Sequence, residues 1–186
     1  ELVRESVTDP NHRKYLNTVC SSAKSLLGLI NDILDLSKIE TGHFHLEPLV
    51  FDLRQALEDT MEFTSILANG KNLDLSWRID PSFPNCFIGD PARLRQILIN
   101  LVGNAIKFTE IGQITVTVER ESADYLRFAI ADTGIGIPKE RLHEIFHSFT
   151  QADQSTTRKY GGTGLGITIS KELVERMEGR IWVESE

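Results

Sequence analysis

Tyr160 to Ser170 reads YGGTGLGITIS, and four of the six residues from Gly161 to Gly166 are glycine. An apolar segment with helical periodicity follows at once. Glycines crowded at the start of a helix let a phosphate group approach the free N–H groups there, where the helix dipole favours an anion. Two well-known phosphate loops are excluded. Gly161 and Gly166 have the separation of a Walker loop, but Ile167 and Thr168 stand where that motif needs Lys and Ser/Thr, so its lysine is missing. No G-x-G-x-x-G follows a strand, which removes the Rossmann loop. The lysine and the metal ligand of a phosphate site must come from elsewhere in the chain.

The segment Asp90 to Phe108 can supply both. At about 100° per residue, Leu94, Ile97, Leu98, Leu101, Val102 and Ala105 share one face, and Arg93, Asn100, Asn104 and Lys107 share another. Asparagine is a poor residue for a helix interior, so two of them one turn apart point to amides in use. An amide oxygen is a hard, neutral ligand suited to Mg²⁺, and Lys107 is a point charge for phosphate. If this helix stood alone, a solvated polar face would explain the same residues equally well.

A third group is Asp132-Thr-Gly-Ile-Gly-Ile-Pro138, where an alternating run ends. Gly134 and Gly136 let the backbone turn sharply and approach a flat ligand. Asp132 offers only acceptors, so it suits the exocyclic amino group of adenine, whereas guanine would turn a carbonyl oxygen towards it. An aspartate capping a turn is the plainer reading of any single D-x-G-x-G. The polar run from Thr150 to Gly162 is long for a loop inside a compact domain unless it is a lid. Its cations Arg158 and Lys159 lie in sequence between Phe146/Phe149, read as hinge anchors, and the glycines.

The bulk numbers bound the rest. With 186 residues, 40% hydrophobic and 25% charged, the chain supports one main domain plus an appendage. Twenty-seven acidic residues against 20 basic give a net charge of −7, which disfavours nucleic acid as a partner. Cys20 and Cys86 form no paired framework, no run approaches the roughly 18 apolar residues of a membrane span, and the start, ELVRESVTDPNHRKY, is mostly polar. A reducing, cytoplasmic setting without direct membrane contact is the expectation, with a membrane-tethered parent still open.

In chain order, Asp9 and Pro10 start a helix of about 30 residues that ends near Thr41-Gly42. Its stripe of Leu16, Val19, Ala23, Leu26, Ile30 and Ile33, widened by Cys20, Leu27 and Leu34, reads as one helix of a bundle. An ordinary long helix packed on its own domain is the alternative. Asp52 to Gln55 reads as a capping box for a helix to about Asn69, and Leu73 to Ile79 as a strand. Ile114 to Val118 and Leu126 to Ile130 form a β-hairpin. A short helix after Pro138, a helix from about Thr163 to Met177 and a last strand from Arg180 to Glu184 complete the expectation. The fold class is α+β: a two-layer α/β sandwich, its mixed sheet covered by helices on one face, preceded by a long bundle helix.

With these groups in view, the sequence resembles the catalytic half of a sensor histidine kinase of the hybrid type, within the superfamily of gyrase, MutL-type repair proteins and a heat-shock chaperone. Asn100-Leu-Val-Gly-Asn104-Ala-Ile-Lys107 is similar to the family's N box, Asp132 to Pro138 to its G1 box, Phe146 to Phe149 to its F box and GGTGLG to its G2 box. The resemblance implies Mg-ATP binding, with Asn104 on the metal and Asp132, Gly134, Gly136 and Ile137 at the base. It places Asn100, Lys107 and the lid residues Gly161, Gly162, Thr163, Gly164, Leu165 and Gly166 around the nucleotide, and gives Asn100, Lys107 and Arg158 catalytic roles. It implies a division into 1–42, the end of helix one and all of helix two of a dimerisation bundle, and 43–186, the ATP domain. The partners implied are a histidine-bearing helix of the bundle, a second copy in a homodimer, and a response-regulator receiver domain. No histidine among His12, His43, His45, His143 and His147 has the H-E-[IL]-R-T-P-like neighbourhood of the family's acceptor. The resemblance would place that segment before Glu1, and the family's last strand after Glu186.

The superfamily's hydrolysing members carry a glutamate four residues before the metal asparagine. Here that position is Asn100, which has no basicity with which to activate water. Phosphoryl transfer to a histidine is therefore favoured over steady hydrolysis. Two alternatives stay open: a non-catalytic nucleotide-binding module for regulation or dimerisation, and an ATP-hydrolysing clamp, which phosphate release without an acceptor would reveal.

Overall fold

The structure is a computed structural model that describes residues 9–84, 86–122, 125–146 and 164–185. The chain divides into two compact units, Glu1–Phe44 and His45–Glu186.

The described part of the first unit is essentially one helix, α1 (Pro10–Glu40). Asp9 caps it, its carboxylate accepting from the N–H groups of Asn11 at 2.7 Å and His12 at 3.4 Å. Pro10 occupies the first turn, where its missing N–H costs nothing. The helix ends as Thr41 donates its N–H to the Ser37 carbonyl and Gly42 turns into the left-handed region at φ 73°. Val19, Leu26, Leu27, Ile30, Ile33 and Leu34 remain exposed along it.

The second unit is the expected α+β sandwich. Strands β2 (Asp74–Ile79), β4 (Gln113–Arg120) and β5 (Leu126–Asp132) form a mixed sheet in the order β2-β4-β5. β2 runs parallel to β4, and β4 pairs antiparallel with β5 from Ile114↔Asp132 to Arg120↔Leu126. Alternation decides the faces. Ile114, Val116 and Val118 are fully buried, each such side chain contributing about 1.5–3 kcal/mol, while Ser76, Arg78, Thr115 and Glu119 occupy the other face, with Arg78 3.6 Å from Glu119. Helices α2 (Leu53–Asn69) and α3 (Pro91–Phe108) supply Leu53, Leu57, Met61, Leu98, Val102 and Ile106 to the same core. Helix α4 (Gly166–Arg176) buries Ile169 and Leu173.

Several expectations are corrected. Strands β1 (Leu49–Asp52) and β3 (Cys86–Gly89) form an antiparallel two-stranded sheet that the sequence reading lacked. The segment after Pro138 forms two short 3-10 turns, Lys139–Arg141 and Glu144–Phe146, rather than a helix. The described part of α4 starts at Gly166, because Gly164 at φ 70° cannot lie in a right-handed helix. The capping box of α2 is half made: Asp52 accepts from Gln55 N–H at 3.1 Å, but the Gln55 amide turns to Asp59 at 2.8 Å. Arg180 to Glu184 forms no ladder with a described strand. Side chains tie it to the hairpin instead: the Trp182 ring centroid lies 5.7 Å from the Arg127 guanidinium, and Arg180 donates to Glu121 Oε1 at 3.0 Å. No helix among the described residues is long and apolar enough to cross a membrane.

Candidate functional site

Helix α3 is fixed at both ends, by its own cap Asp90 at the start and by the Lys71 side chain at the end. At its start the buried Asp90 carboxylate accepts from Ala92 and Arg93 N–H, both at 3.1 Å, and from Glu47 N–H at 3.0 Å. Its C-terminal carbonyls are all engaged without a terminal glycine. Ala105 O accepts from Thr109 N–H, and Phe108 O accepts from Ile135 N–H at 3.3 Å. The Lys71 ammonium donates to Ile106 O, Lys107 O and Thr109 O at 2.7, 2.9 and 3.3 Å. Lys71 was absent from the sequence reading, because a lysine just past a helix end carries no local sign of a partner 35 residues further on.

The polar face of α3 is half-buried. Asn100 donates its amide to Gly166 O at 3.3 Å and to Ser170 Oγ at 3.5 Å, tying α3 to the first turn of α4. The side-chain amide of Asn104, one turn on, makes no hydrogen bond to another described residue. Lys107 Nζ lies 4.7 Å from the centroid of the Phe108 ring, and burial holds its pKa below the ordinary lysine value. Arg93 donates to Gln96 Oε1 at 2.9 Å.

Asp132, the last residue of β5, is exposed, and its Oδ1 accepts from Gly134 N–H at 2.8 Å. A Cβ on Gly134 would lie 2.6 Å from that oxygen and 2.7 Å from Phe108 O, so only glycine lets the loop pass between them. Thr133 is pinned to Gln113 through its N–H at 3.2 Å and its hydroxyl, which accepts from Gln113 N–H at 3.0 Å. Gly136 takes φ 68°, and Ile137 N–H donates to Ser185 Oγ at 2.8 Å. Leu165 is buried at the start of α4 and, as an apolar residue, offers the helix no side-chain cap. The structure thus links Asn100 to Gly166, and Asp132 and Gly134 to the end of α3 beside Lys107. Arg158, Gly161, Gly162 and Thr163, with Phe149 and Lys159, lie outside the described residues. Phe146 is described, and its carbonyl accepts from Thr168 Oγ1 at 3.4 Å.

Residues 89–186 match the family described as histidine kinase-, DNA gyrase B-, and HSP90-like ATPase. The chain belongs to that family. Residues 1–42 of this ATPase-family chain match the His Kinase A (phospho-acceptor) domain. The sensor histidine kinase GacS of Pseudomonas protegens is 46% identical over 188 residues, which are 99% of this chain and 20% of GacS. The signal transduction histidine-protein kinase BarA of Escherichia coli is 44% identical over 189 residues, 100% of this chain and 21% of BarA. The chain thus spans about a fifth of the length of these relatives. Full-length ShkA, crystallised with AMPPNP, superposes with a TM-score of 0.83 at 31% identity over 100% of this chain and 38% of ShkA. The histidine kinase ThkA, in complex with the response regulator protein TrrA, superposes at 0.70 with 26% identity over 98% of this chain and 50% of ThkA. Five of the candidate residues, Asn100, Asn104, Lys107, Asp132 and Gly166, sit on three elements, α3, β5 and α4, whose order was readable from the sequence.

Proposed function

We propose that this chain is the ATP-binding catalytic region of a protein-histidine kinase, which donates the γ-phosphoryl group of ATP to a histidine on a helix of its bundle. The observation that carries the reading is the state of the two α3 amides. Asn100 stands where hydrolysing relatives would need a base, and its amide is engaged with Gly166 and Ser170. The side-chain amide of Asn104 makes no hydrogen bond to another described residue.

The residues fit the ligand. The Asp132 carboxylate, one oxygen held by Gly134 N–H, would accept the adenine amino group, with Gly134, Gly136 and Ile137 as the close backbone. Lys107 and the uncapped start of α4, with Gly161 to Gly166, would meet the phosphates, and Arg158 would reach them from the lid. Asn104 would give its amide oxygen to Mg²⁺; among the described residues no cluster of acidic, histidine or cysteine side chains offers a competing cage. Bound magnesium supplies charge neutralisation at the phosphates. Transfer forms a bond from an imidazole nitrogen to the γ-phosphorus and breaks the bond to the bridging oxygen; ADP leaves and the ring loses a proton. The protein's part is alignment and charge.

The proposed partners are a second copy, through the exposed stripe of α1, and a response-regulator receiver domain. The proposed division is 1–42 for the bundle and 43–186 for the ATP domain, and the proposed setting is cytoplasmic. The deciding experiment mixes the chain and Mg-ATP with a supplied histidine-bearing helix of the bundle. Transfer to that histidine with little free phosphate is expected; rapid phosphate release without the helix, or tight ATP binding with no transfer, would overturn the reading.

A further inference from the structure

Lys71 sits outside every motif, yet its ammonium has three N–H donors and meets three main-chain oxygens of one turn, those of Ile106, Lys107 and Thr109. A cation there also faces the negative end of the α3 dipole. The turn that aims Lys71 is fixed by Asn72, which takes a left-handed φ of 56°, and by Leu73 N–H, which returns to Ala68 O at 3.0 Å. The same turn of α3 carries Lys107, and its Phe108 carbonyl holds Ile135 of the glycine loop. A shift of this turn would therefore move the proposed phosphate lysine and the loop that begins at Asp132 together.

We infer that Lys71 is a positioning residue of the nucleotide site, clamping the last turn of α3 so that Lys107 and the Asp132 loop keep a common register. The inference rests on the proposed reading of those two residues. Lys71→Met keeps the length of the side chain and removes its charge and donors. Its Kd for Mg-ATP, corrected for the folded fraction, should rise about fivefold to tenfold, and the Ile135 amide should exchange faster with solvent in the nucleotide-free chain. Lys71→Arg should recover part of both effects. Val118→Ala, in the distant part of β4, serves as a control of lowered stability and should leave both readouts near the parent's.

An unchanged Kd overturns the inference. So does a raised Kd with unchanged Ile135 exchange, since the ammonium would then act through its field alone. If Lys71→Met does not fold, Lys71→Arg decides: partial loss in both readouts supports the clamp, and parental values in both overturn it. Failure of the parent chain to bind Mg-ATP counts against the proposed function, and Ile135 exchange then decides the clamp by itself.

Discussion

In α3 the apolar residues Ile97, Leu98, Val102, Ala105 and Ile106 are buried, whereas in α1 Val19, Leu26, Leu27, Ile30, Ile33 and Leu34 are exposed. Both helices carry the 3.6-residue pattern, and both begin with an aspartate cap followed by proline. Periodicity states that a face is made to be covered; it does not say by what. α3 finds its cover within its own unit, in α2, β4 and β5, while the first unit has no second described helix to offer α1. The sharpest way to break this contrast is a matched pair of substitutions. Leu98→Ala should cost about 3 kcal/mol of unfolding free energy by leaving a cavity, measured by denaturant titration. Leu27→Ser should leave unfolding within about 0.5 kcal/mol. If α1 meets a second copy, Leu27→Ser should instead raise the dimer's dissociation constant at least about a hundredfold, because each dimer loses two leucines. Sedimentation of the parent chain as a monomer at high micromolar concentration would remove the proposed partner of that stripe.

The polar faces differ as well. On α3 the face opposite the core brings together Asn100, Asn104 and Lys107 and lies next to the Asp132 loop through Phe108 O. Asp132→Asn tests that use with little change to the fold, since an asparagine oxygen can still accept from Gly134 N–H. Its amino group would meet the adenine amino group donor to donor, so the Kd for Mg-ATP should rise about thirtyfold to a hundredfold, read by calorimetry. Asn31→Ala, on exposed α1, should leave that affinity unchanged. Equal effects from the two substitutions would mean that the Asp132 carboxylate has no special role in binding.

What was legible in the sequence follows the range of the interactions. The caps at Asp9 and Asp90, the helical faces of α1 and α3 and the alternation of β4 and β5 are set by neighbours a few residues apart, and the expectations agree with the structure. Strands β1 and β3 have four residues each and pair across the whole of α2 and β2, so neither has enough length to declare a period. Lys71 is invisible for the same reason. Gln55 shows a different limit: Asp59, one turn on, competes for its amide, and the motif alone could not rank the two partners. Arg180 to Glu184 has a strand's alternation, but a strand is defined by its ladder, and the segment is tied by side chains, Trp182 near Arg127 and Arg180 to Glu121.

The smallest effect concerns Lys107. Burial disfavours its ammonium in the folded chain, so its folded pKa lies below the value it has when unfolded. Between the two values the unfolded chain binds more protons, and this residue's contribution to stability therefore rises with pH across that window. A phosphate beside Nζ would reverse the preference by offsetting the desolvation of the ammonium. Nucleotide binding should then take up protons, and affinity should fall as pH rises through the lowered pKa. Lys107→Met should melt slightly higher than the parent without nucleotide, lose the rise of stability with pH, and bind Mg-ATP more weakly. Calorimetry at alkaline pH below the ordinary lysine value, in buffers of different ionisation enthalpy, counts the protons directly. Proton uptake that disappears in Lys107→Met would locate the phosphate at this side chain. Uptake that persists in the variant would assign the proton to another group and leave Lys107 as a lysine stacked on Phe108.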